Sequence, residues 1–279
     1  MKHQVYTALL TLHLSLFAFS FGFAQQSSRY DSIIQIKIHS EILKQDRELI
    51  IHLPQNFDPN KKYPVMYVLD GSSQDQHISD KFDSLNLLGQ APQTIIVGIP
   101  NMTGTNRTLQ LVPPFMLTDP DNPNSPKGTA DTFLLFMESE LIPFMAEKYG
   151  ASGLRSFAGN SRGGLLVMYS LILKPDLFTG RFCFSTPLWR QDNLLVSRVS
   201  EFLSSRKQMN SFIYLSVGTN ETENIRSGLE AMTQSLKQKA PKGLIWYTYY
   251  TPNVDHQLNA KISATDGIQK WGEYAKKLK

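Results

Sequence analysis

The stretch that decides the fold is S-F-A-G-N-S-R-G-G-L-L, residues 156–166. Ser161 stands between Gly159 and Gly163 in the pattern G-x-S-x-G. A short apolar run leads into it, and residues 162–173 have the pattern of a helix. A nucleophile elbow needs this strand–turn–helix context, because its tight turn forces the serine into a strained backbone conformation that only small neighbours tolerate. The alternative is an ordinary glycine-rich loop, and the rest of the chain has to distinguish the two.

Apolar runs that are typical of buried strands alternate along the chain with helical patterns. The strand-like runs are 63–70, 94–100, 154–159, 212–218 and 244–250. The helical patterns are 74–89, 129–148, 162–173, 193–205 and 223–239. Two earlier segments, D-S-I-I-Q-I-K-I-H-S-E-I-L and R-E-L-I-I-H-L-P, alternate polar and apolar residues, which predicts an antiparallel pair with one solvent-facing side. The whole pattern predicts an α/β fold with a mostly parallel central sheet and helices on both faces.

The composition favours a globular protein with one core. The chain has 279 residues, of which 41% are hydrophobic and 19% are charged, and we expect residues 25–279 to form a single domain. The net charge of +4 comes without a basic block or an interleaved aromatic stripe, so nucleic-acid binding is not expected. The single cysteine, Cys183, lies in the apolar run R-F-C-F-S and is predicted to be a small buried hydrophobic side chain.

Residues 1–24 are predicted to be a signal peptide. Lys2 precedes a long apolar stretch without charged residues, and Gly22 and Ala24 fit the −3 and −1 positions of a cleavage site. A membrane anchor is the alternative, but polar residues interrupt the apolar stretch and the polar sequence Q-Q-S-S-R-Y-D follows at once. We therefore expect a cleaved chain that is periplasmic or secreted and not held at a membrane.

A serine nucleophile needs a general base, and the base needs an acid that orients it. In a fold of this kind the chain order is serine, acid, histidine, and His256 is the one histidine that follows Ser161. The loop T-N-E-T-E-N after the fourth buried run offers Glu221 and Glu223 as the acid. We prefer Glu221, because a short loop presents it over the strand end, whereas Glu223 has the position of a first-turn helix residue. A Ser–His dyad without an acid is the third possibility.

Acyl transfer also requires donors for the oxyanion that forms on the substrate. The first is the backbone N–H of Arg162, the residue after the nucleophile. The second is expected from the loop L-D-G-S-S, which follows the strand-like run 63–70, and therefore from Gly71 or Ser72. This chemistry requires no metal and no cofactor, and we predict neither.

The connection 101–128 is long and rich in proline. A neutral linker inside a compact domain is rarely of this length, and loops of this kind are usually functional. We interpret it as a flap on the substrate side of the sheet, with disorder as the alternative.

Six segments occur in the same order in a known family: Y-P-V-M-Y-V-L-D-G, N-R-T, F-L-L-F-M-E-S-E-L-I-P-F-M-A-E-K-Y, F-A-G-N-S-R-G-G-L, L-S-V-G-T-N-E and D-H. Over roughly residues 30–279 the chain resembles the putative-esterase family of α/β-hydrolases. That family includes enterochelin and siderophore esterases, feruloyl and acetylxylan esterases, esterase D and mycolyltransferases. The resemblance implies an α/β-hydrolase fold and a small-molecule or carbohydrate ester as substrate. It also implies that Arg107, in N-R-T, lines the pocket or ties down the flap. Many relatives continue N-R-T with Arg-Asp, whereas this chain has Leu109–Gln110.

Together these features predict an exported serine esterase that uses Ser161, His256 and Glu221. An acyltransferase with the same triad is the nearest alternative. A non-catalytic binding protein on the same fold is the alternative from another class.

Overall fold

The structure is a computed structural model that describes residues 33–101 and 105–278. The predicted signal peptide, residues 1–24, lies outside the described residues. Within them, no helix is long and apolar enough to span a lipid bilayer.

One mixed sheet organises the molecule. Its strands are β1 (Ile33–Ser40), β2 (Gln45–His52), β3 (Tyr63–Gly71), β4 (Ile95–Pro100), β5 (Ala151–Asn160), β6 (Gly180–Phe184), β7 (Gln208–Gly218) and β8 (Lys242–Thr251). Their order across the sheet is β1-β2-β4-β3-β5-β6-β7-β8. Strand β2 pairs antiparallel with β1 and with β4, and the pairs from β4 to β8 are all parallel. The predicted antiparallel pair and mostly parallel sheet are therefore confirmed.

Helices cover both faces of this sheet, as predicted. They are α1 (Asp75–Leu87), α2 (Thr105–Gln110), α3 (Ala130–Phe136), α4 (Ile142–Tyr149), α5 (Arg162–Leu173), α6 (Arg190–Ser204), α7 (Glu223–Lys239) and α8 (Asn259–Lys276). Side chains of α1 and α8 pack with one set of strand residues, and those of α3 to α7 pack with the other. Alternate residues of a strand face opposite sides, so both faces of the parallel strands must be apolar. Cys183 is buried in this core, and burial raises the pKa of its thiol.

The structure differs from the predicted elements in three respects. Strand β6 and helices α2 and α8 were not predicted. The single helix predicted over 129–148 is interrupted by a π-helical turn, Met137–Leu141. Pro143 lies just after this turn and has no N–H to donate, so the regular hydrogen-bond pattern cannot pass through it. Strand β8 is half-buried rather than buried, because it forms one edge of the sheet.

Candidate active site

Ser161 lies in a sharp turn between β5 and α5. Its backbone has φ 54° and ψ −123°, a conformation that L-residues rarely adopt and that is costly without support. The Ser161 N–H donates to the carbonyl of Phe184 at 2.8 Å, which continues the β5–β6 ladder into the turn. A Cβ on Gly159 would lie 2.4 Å from the carbonyl carbon of Gly163. The glycines therefore let strand and helix approach closely enough to form the turn predicted for a nucleophile elbow.

His256 lies in the turn between β8 and α8, at the same edge of the sheet. This turn packs on the end of β7, where the Asn220 N–H donates to the Val254 carbonyl at 3.0 Å. The Nδ1 atom of His256 lies 2.7 Å from Oε2 of Glu221. The His256 side chain is 36% exposed and that of Glu221 is 1% exposed. The ring is thus held on its inner side, and its Nε2 side is left for other partners.

Glu221 is held by hydrogen bonds on both carboxylate oxygens. Its Oε1 accepts from the Gly218 N–H and from the Ser185 hydroxyl, each at 2.7 Å. Burial raises the pKa of this carboxyl, but the hydrogen bonds from His256, Gly218 and Ser185 outweigh burial and leave the pKa below its ordinary value. An ionised Glu221 accepts the Nδ1–H of His256, and this bond fixes the neutral ring as the tautomer with a free Nε2.

A second layer of polar residues supports Glu221, and the sequence pattern did not predict it. Asn259, the first residue of α8, is fully buried. Its Nδ2 donates to the Ser185 hydroxyl at 2.9 Å and to the Ser216 carbonyl at 3.1 Å, and its Oδ1 accepts from Thr251 at 2.6 Å. Ser185 directly follows β6, the strand that was not predicted. Recognising R-F-C-F-S as a strand would have placed this serine at the carboxyl edge of the sheet.

Two other carboxylates, Glu223 and Asp255, make no hydrogen bond with His256 among the described residues. Glu223 is the exposed first residue of α7. Asp255 turns back and accepts the N–H groups of Gln257 and Leu258 at 3.0 and 3.1 Å. Among the described residues, no hydrogen bond joins Ser161 Oγ to His256 Nε2. Such bonds are often long before a substrate is bound.

The candidate oxyanion donors lie at or just after the carboxyl ends of two neighbouring strands, β5 and β3. The N–H of Arg162 is at the first position of α5, where helix N–H groups have no partner within the helix. Gly71 ends β3, which pairs with β5, and Ser72 follows it with φ 74°. A Cβ on Gly71 would lie 2.6 Å from the Ile99 amide nitrogen, so this position requires glycine. The two loops therefore leave the same edge of the sheet side by side.

Arg107 forms a bidentate ion pair with Asp70, the residue before Gly71. Its Nε lies 2.7 Å from Oδ1 and its Nη2 lies 2.8 Å from Oδ2. The hydrogen bond with Asp70 raises the pKa of Arg107, although burial opposes it. Asn101 also donates to Asp70. Of the two roles considered for Arg107, this contact corresponds to tying down the segment, because the guanidinium binds a buried carboxylate at the end of β3.

Residues 105–128 border the site and are bonded to the body of the protein. The Leu117 carbonyl accepts from Arg190 at 2.6 Å, and the Leu117 N–H donates to Gln191 Oε1 at 2.8 Å. Arg162 Nη1 donates to Thr108 Oγ1 at 3.3 Å. The contacts to Arg162 and to Asp70 place this segment at the carboxyl edge of the sheet, near Ser161. This position is in line with its interpretation as a substrate-side flap, and we call residues 105–128 the rim segment.

The residues of this site are hydrogen-bonding and acid–base groups rather than a set of metal ligands. No group of three or more His, Cys, Asp or Glu side chains suited to hold a metal ion occurs within residues 33–101 and 105–278.

Comparisons with known proteins identify the family of this chain. A family model described as "Putative esterase" matches residues 40–279. Ferri-bacillibactin esterase BesA of Bacillus subtilis is 26% identical over 191 residues, which are 63% of this chain and 65% of that relative. The siderophore enterobactin esterase of Emericella nidulans is 28% identical over 152 residues, which are 49% of this chain and 50% of that relative. The match thus spans less than two thirds of either relative.

Among solved structures, an IroE-like serine hydrolase from Shewanella oneidensis has a TM-score of 0.79. It is 28% identical, and the match covers 86% of this chain and 80% of that chain. The sheet order and this likeness confirm the predicted α/β-hydrolase fold.

Proposed function

The chain belongs to the putative-esterase family, and from this premise we propose that it is an exported serine esterase that hydrolyses a small-molecule carboxylic ester of the siderophore type. Membership of the family supports hydrolysis of an ester. The serine mechanism, the export and the substrate type are the proposal.

The observation that carries the mechanism is the hydrogen bond between His256 Nδ1 and the buried Glu221 carboxylate, at the sheet edge that also bears the strained Ser161. A buried carboxylate is costly unless its oxygens are bonded, and here its two oxygens accept from a backbone N–H, a hydroxyl and the ring. Such an arrangement orients one imidazole and stabilises its cation. A protein that only binds a ligand has no need for it.

The reaction follows from these groups. Ser161 Oγ attacks the ester carbonyl carbon while its proton passes to His256 Nε2, and the imidazolium is stabilised by Glu221. The carbon–oxygen bond to the alcohol then breaks, and the alcohol leaves with the proton of His256 Nε2. Water attacks the acyl-enzyme, His256 takes one of its protons, and Ser161 Oγ is released with that proton as the carboxylic acid departs. The oxyanion of each tetrahedral intermediate accepts from the N–H of Arg162 and from that of Gly71 or Ser72.

The names of two relatives support the substrate class. Ferri-bacillibactin esterase and siderophore enterobactin esterase are both esterases of siderophores. A carbohydrate acyl ester is the other substrate that the family resemblance allows, and the experiment compares the two.

The test is a substrate panel on the purified protein. It contains 4-nitrophenyl acetate, enterobactin, an acetylated xylo-oligosaccharide and a feruloyl ester, with and without an added acceptor alcohol, and with the Ser161→Ala variant as control. We expect enterobactin to be hydrolysed with the highest kcat/KM and free acid to be the product. Preference for the carbohydrate esters would overturn the substrate class, a transferred acyl group would favour an acyltransferase, and no Ser161-dependent turnover would contradict the esterase mechanism.

Export is tested separately by the mass of the protein recovered from outside the cytoplasm of the producing cell. We expect a chain that begins at Gln25. A full-length chain retained in the cytoplasm would overturn this part of the proposal.

A further inference from the structure

Arg162 carries a guanidinium group that lacks a counter-charge. Its side chain is half-buried, and its hydrogen bond to Thr108 Oγ1 is long, at 3.3 Å. Among the described residues, no carboxylate oxygen lies within 4.0 Å of its nitrogen atoms. A guanidinium has five N–H donors, so most of the hydrogen-bonding capacity of Arg162 is unused.

The arginines around it are bonded differently. Arg107 forms its bidentate pair with Asp70. Arg47 donates to Gln110 Oε1 and to the Pro100 carbonyl, at 3.2 and 3.0 Å. Each of these two side chains holds segments of the protein together. Arg162 holds no charged group, and it directly follows the nucleophile in the chain.

A second cation, Arg190, is bonded to the same segment 105–128 as Arg162 and is near enough for the charge of Arg162 to act on it. Arg190 is 2% exposed; it donates to the carbonyls of Leu117 and Thr118, and its Nε has no partner. Burial lowers the pKa of Arg190 and the charge of Arg162 lowers it further, while Asp119 and Asp121 act in the opposite direction. Two cations near each other in a partly dry place are unfavourable unless an anion joins them.

The backbone beside Arg190 is strained. Gln191, Asp192 and Asn193 all have left-handed φ values, from 49° to 58°. None of the three is glycine, and strain of this kind persists where surrounding contacts hold it, often at a ligand site. Here the Gln191 side chain accepts the Leu117 N–H, so the strained turn keeps Arg190 against the rim segment.

From this arrangement, and resting on the proposed esterase function, we infer that Arg162 is a substrate-binding residue for an anionic pair of oxygens, a carboxylate or a catecholate, which the ester carries close to its scissile bond. A planar guanidinium binds two oxygens through parallel N–H groups, which gives orientation as well as attraction. Because Arg162 adjoins Ser161, an anion held there orients the carbonyl toward the nucleophile. Arg190 adds a second positive charge without itself being free to move.

The test compares matched esters that differ in this anion. In the carboxylate arm, mono-4-nitrophenyl succinate is compared with 4-nitrophenyl butyrate. In the catecholate arm, ferric enterobactin is compared with iron-free enterobactin, the same ester with its catechols protonated. The readout is the ratio of kcat/KM for the anionic and the neutral ester, because a change in chemistry common to both esters cancels. The variants are Arg162→Gln, Arg162→Lys and, as control, Arg198→Gln, an exposed arginine of α6 paired with Glu201.

We expect Arg162→Gln to lower the ratio about 10- to 100-fold in at least one arm, as for loss of a charged hydrogen-bond pair. Arg162→Lys should recover part of the ratio, since it keeps the charge without the fork. Arg198→Gln should leave the ratio unchanged. A decrease below about fivefold in both arms for Arg162→Gln would overturn the inference, and the arm that responds identifies the anion.

Calorimetry separates this inference from the proposed function. Binding of succinate and of ferric enterobactin is measured with the unsubstituted protein and with Arg162→Gln. If no ester is hydrolysed but Arg162→Gln weakens binding by about tenfold, the esterase proposal fails and the anion site stands. If neutral esters are hydrolysed and neither ligand depends on Arg162, the anion site fails and the esterase proposal stands.

Discussion

The Nδ1 atom of His256 and the Oε2 atom of Glu221 lie 2.7 Å apart, although the first residue is 36% exposed at its side chain and the second 1%. A buried anion therefore holds one side of a ring whose other side is accessible. This is the arrangement that a general base requires, because the proton must enter and leave at Nε2 while Nδ1 stays fixed.

The first prediction concerns the nucleophile. Ser161→Ala removes the attacking oxygen, so kcat should fall by a factor on the order of 10⁴–10⁶, leaving the residual effect of binding and the oxyanion donors. Circular dichroism should show an unchanged fold, since the alanine side chain is smaller. Activity within about tenfold of the parent would exclude Ser161 as the nucleophile.

The second prediction compares the two glutamates. Glu221→Gln keeps the shape but loses the charge that stabilises the His256 cation, and we expect a loss of roughly 10²–10⁴ in kcat. Glu223→Gln, the matched control on the surface of α7, should have the parent rate. The measurement is kcat at saturating substrate. Impairment of Glu223→Gln alone would reverse the assignment, and no effect in either variant would indicate a Ser–His dyad.

The third prediction concerns the turn that carries Ser161. A methyl group on Gly159 would meet the backbone of Gly163 and Gly164 at 2.4 to 2.9 Å, so Gly159→Ala must push α5 away from β5. We expect a loss of about 1–3 kcal/mol in the free energy of unfolding and a drop in kcat of about 100-fold from displacement of Ser161.

Gly153→Ala in the same strand is its control, because a Cβ there meets nothing within 4 Å. Urea unfolding and kcat of both variants make the comparison. Equal unfolding free energies and equal kcat values for the two variants would mean that the close approach of β5 and α5 at Gly159 contributes neither to stability nor to catalysis.

The fourth prediction concerns the ion pair between Arg107 and Asp70, next to the candidate oxyanion donor Gly71. Arg107→Gln leaves the buried Asp70 without its cation, and we expect a loss of about 1.5–3 kcal/mol in the free energy of unfolding. Combining it with Asp70→Asn should cost less than the sum of the single losses, because the residues touch. The measurement is a double-mutant cycle by urea unfolding. Additive losses would show that the pair makes no coupled contribution.

Arg107→Ala also tests whether the rim segment, residues 105–128, takes part in substrate binding. If segment 105–128 acts on binding rather than on chemistry, KM should rise more than kcat falls. A larger effect on kcat would instead indicate that the Arg107–Asp70 contact acts on the chemical step, because Asp70 precedes the candidate oxyanion donor Gly71.

The fifth prediction is a pH dependence of stability from a buried pair outside the triad. His52 Nε2 lies 2.8 Å from Asp75 Oδ2, and both side chains are 3–4% exposed. Burial raises the pKa of Asp75, but the contacts with His52 and with backbone N–H groups bring it below its ordinary value of 3.8. The stability from ionised Asp75 is therefore complete above that ordinary value and is lost as the pH falls through the lower pKa of the folded state.

Urea midpoints between about pH 5 and about pH 2.5 measure this effect. The midpoint of the parent protein should fall more steeply than that of Asp75→Asn, and the exposed Asp121→Asn should follow the parent. Parallel curves for the parent and Asp75→Asn would contradict a contribution from Asp75.

Two elements escaped the sequence analysis for identifiable reasons. Strand β6 has Arg181 at its second position, and a charged residue interrupts an apolar run. In the structure Arg181 is fully buried, because hydroxyl and carbonyl oxygens such as those of Ser170 and Phe178 accept its N–H groups. Helix α8 buries small and polar residues, such as Asn259, Ser263 and Gly267, among its large apolar ones, so its sequence lacks a continuous apolar face. A Cβ on Gly267 would lie 2.9 Å from the ring of Tyr214, so close packing as well as hydrophobicity marks its buried side.

By itself the sequence determined the strand–turn–helix at Ser161, the parallel α/β pattern and His256 as the candidate base. These depend on residue periodicity, turn residues and chain order, which are local or linear properties. Only the tertiary structure decided that His256 meets Glu221 and not Glu223, that Ser185 joins Glu221, and that Arg107 binds Asp70. The partners in these contacts are 35 to 37 positions apart. They meet because the order of strands in the sheet brings their loops to one edge, and no local pattern encodes which side chains touch there.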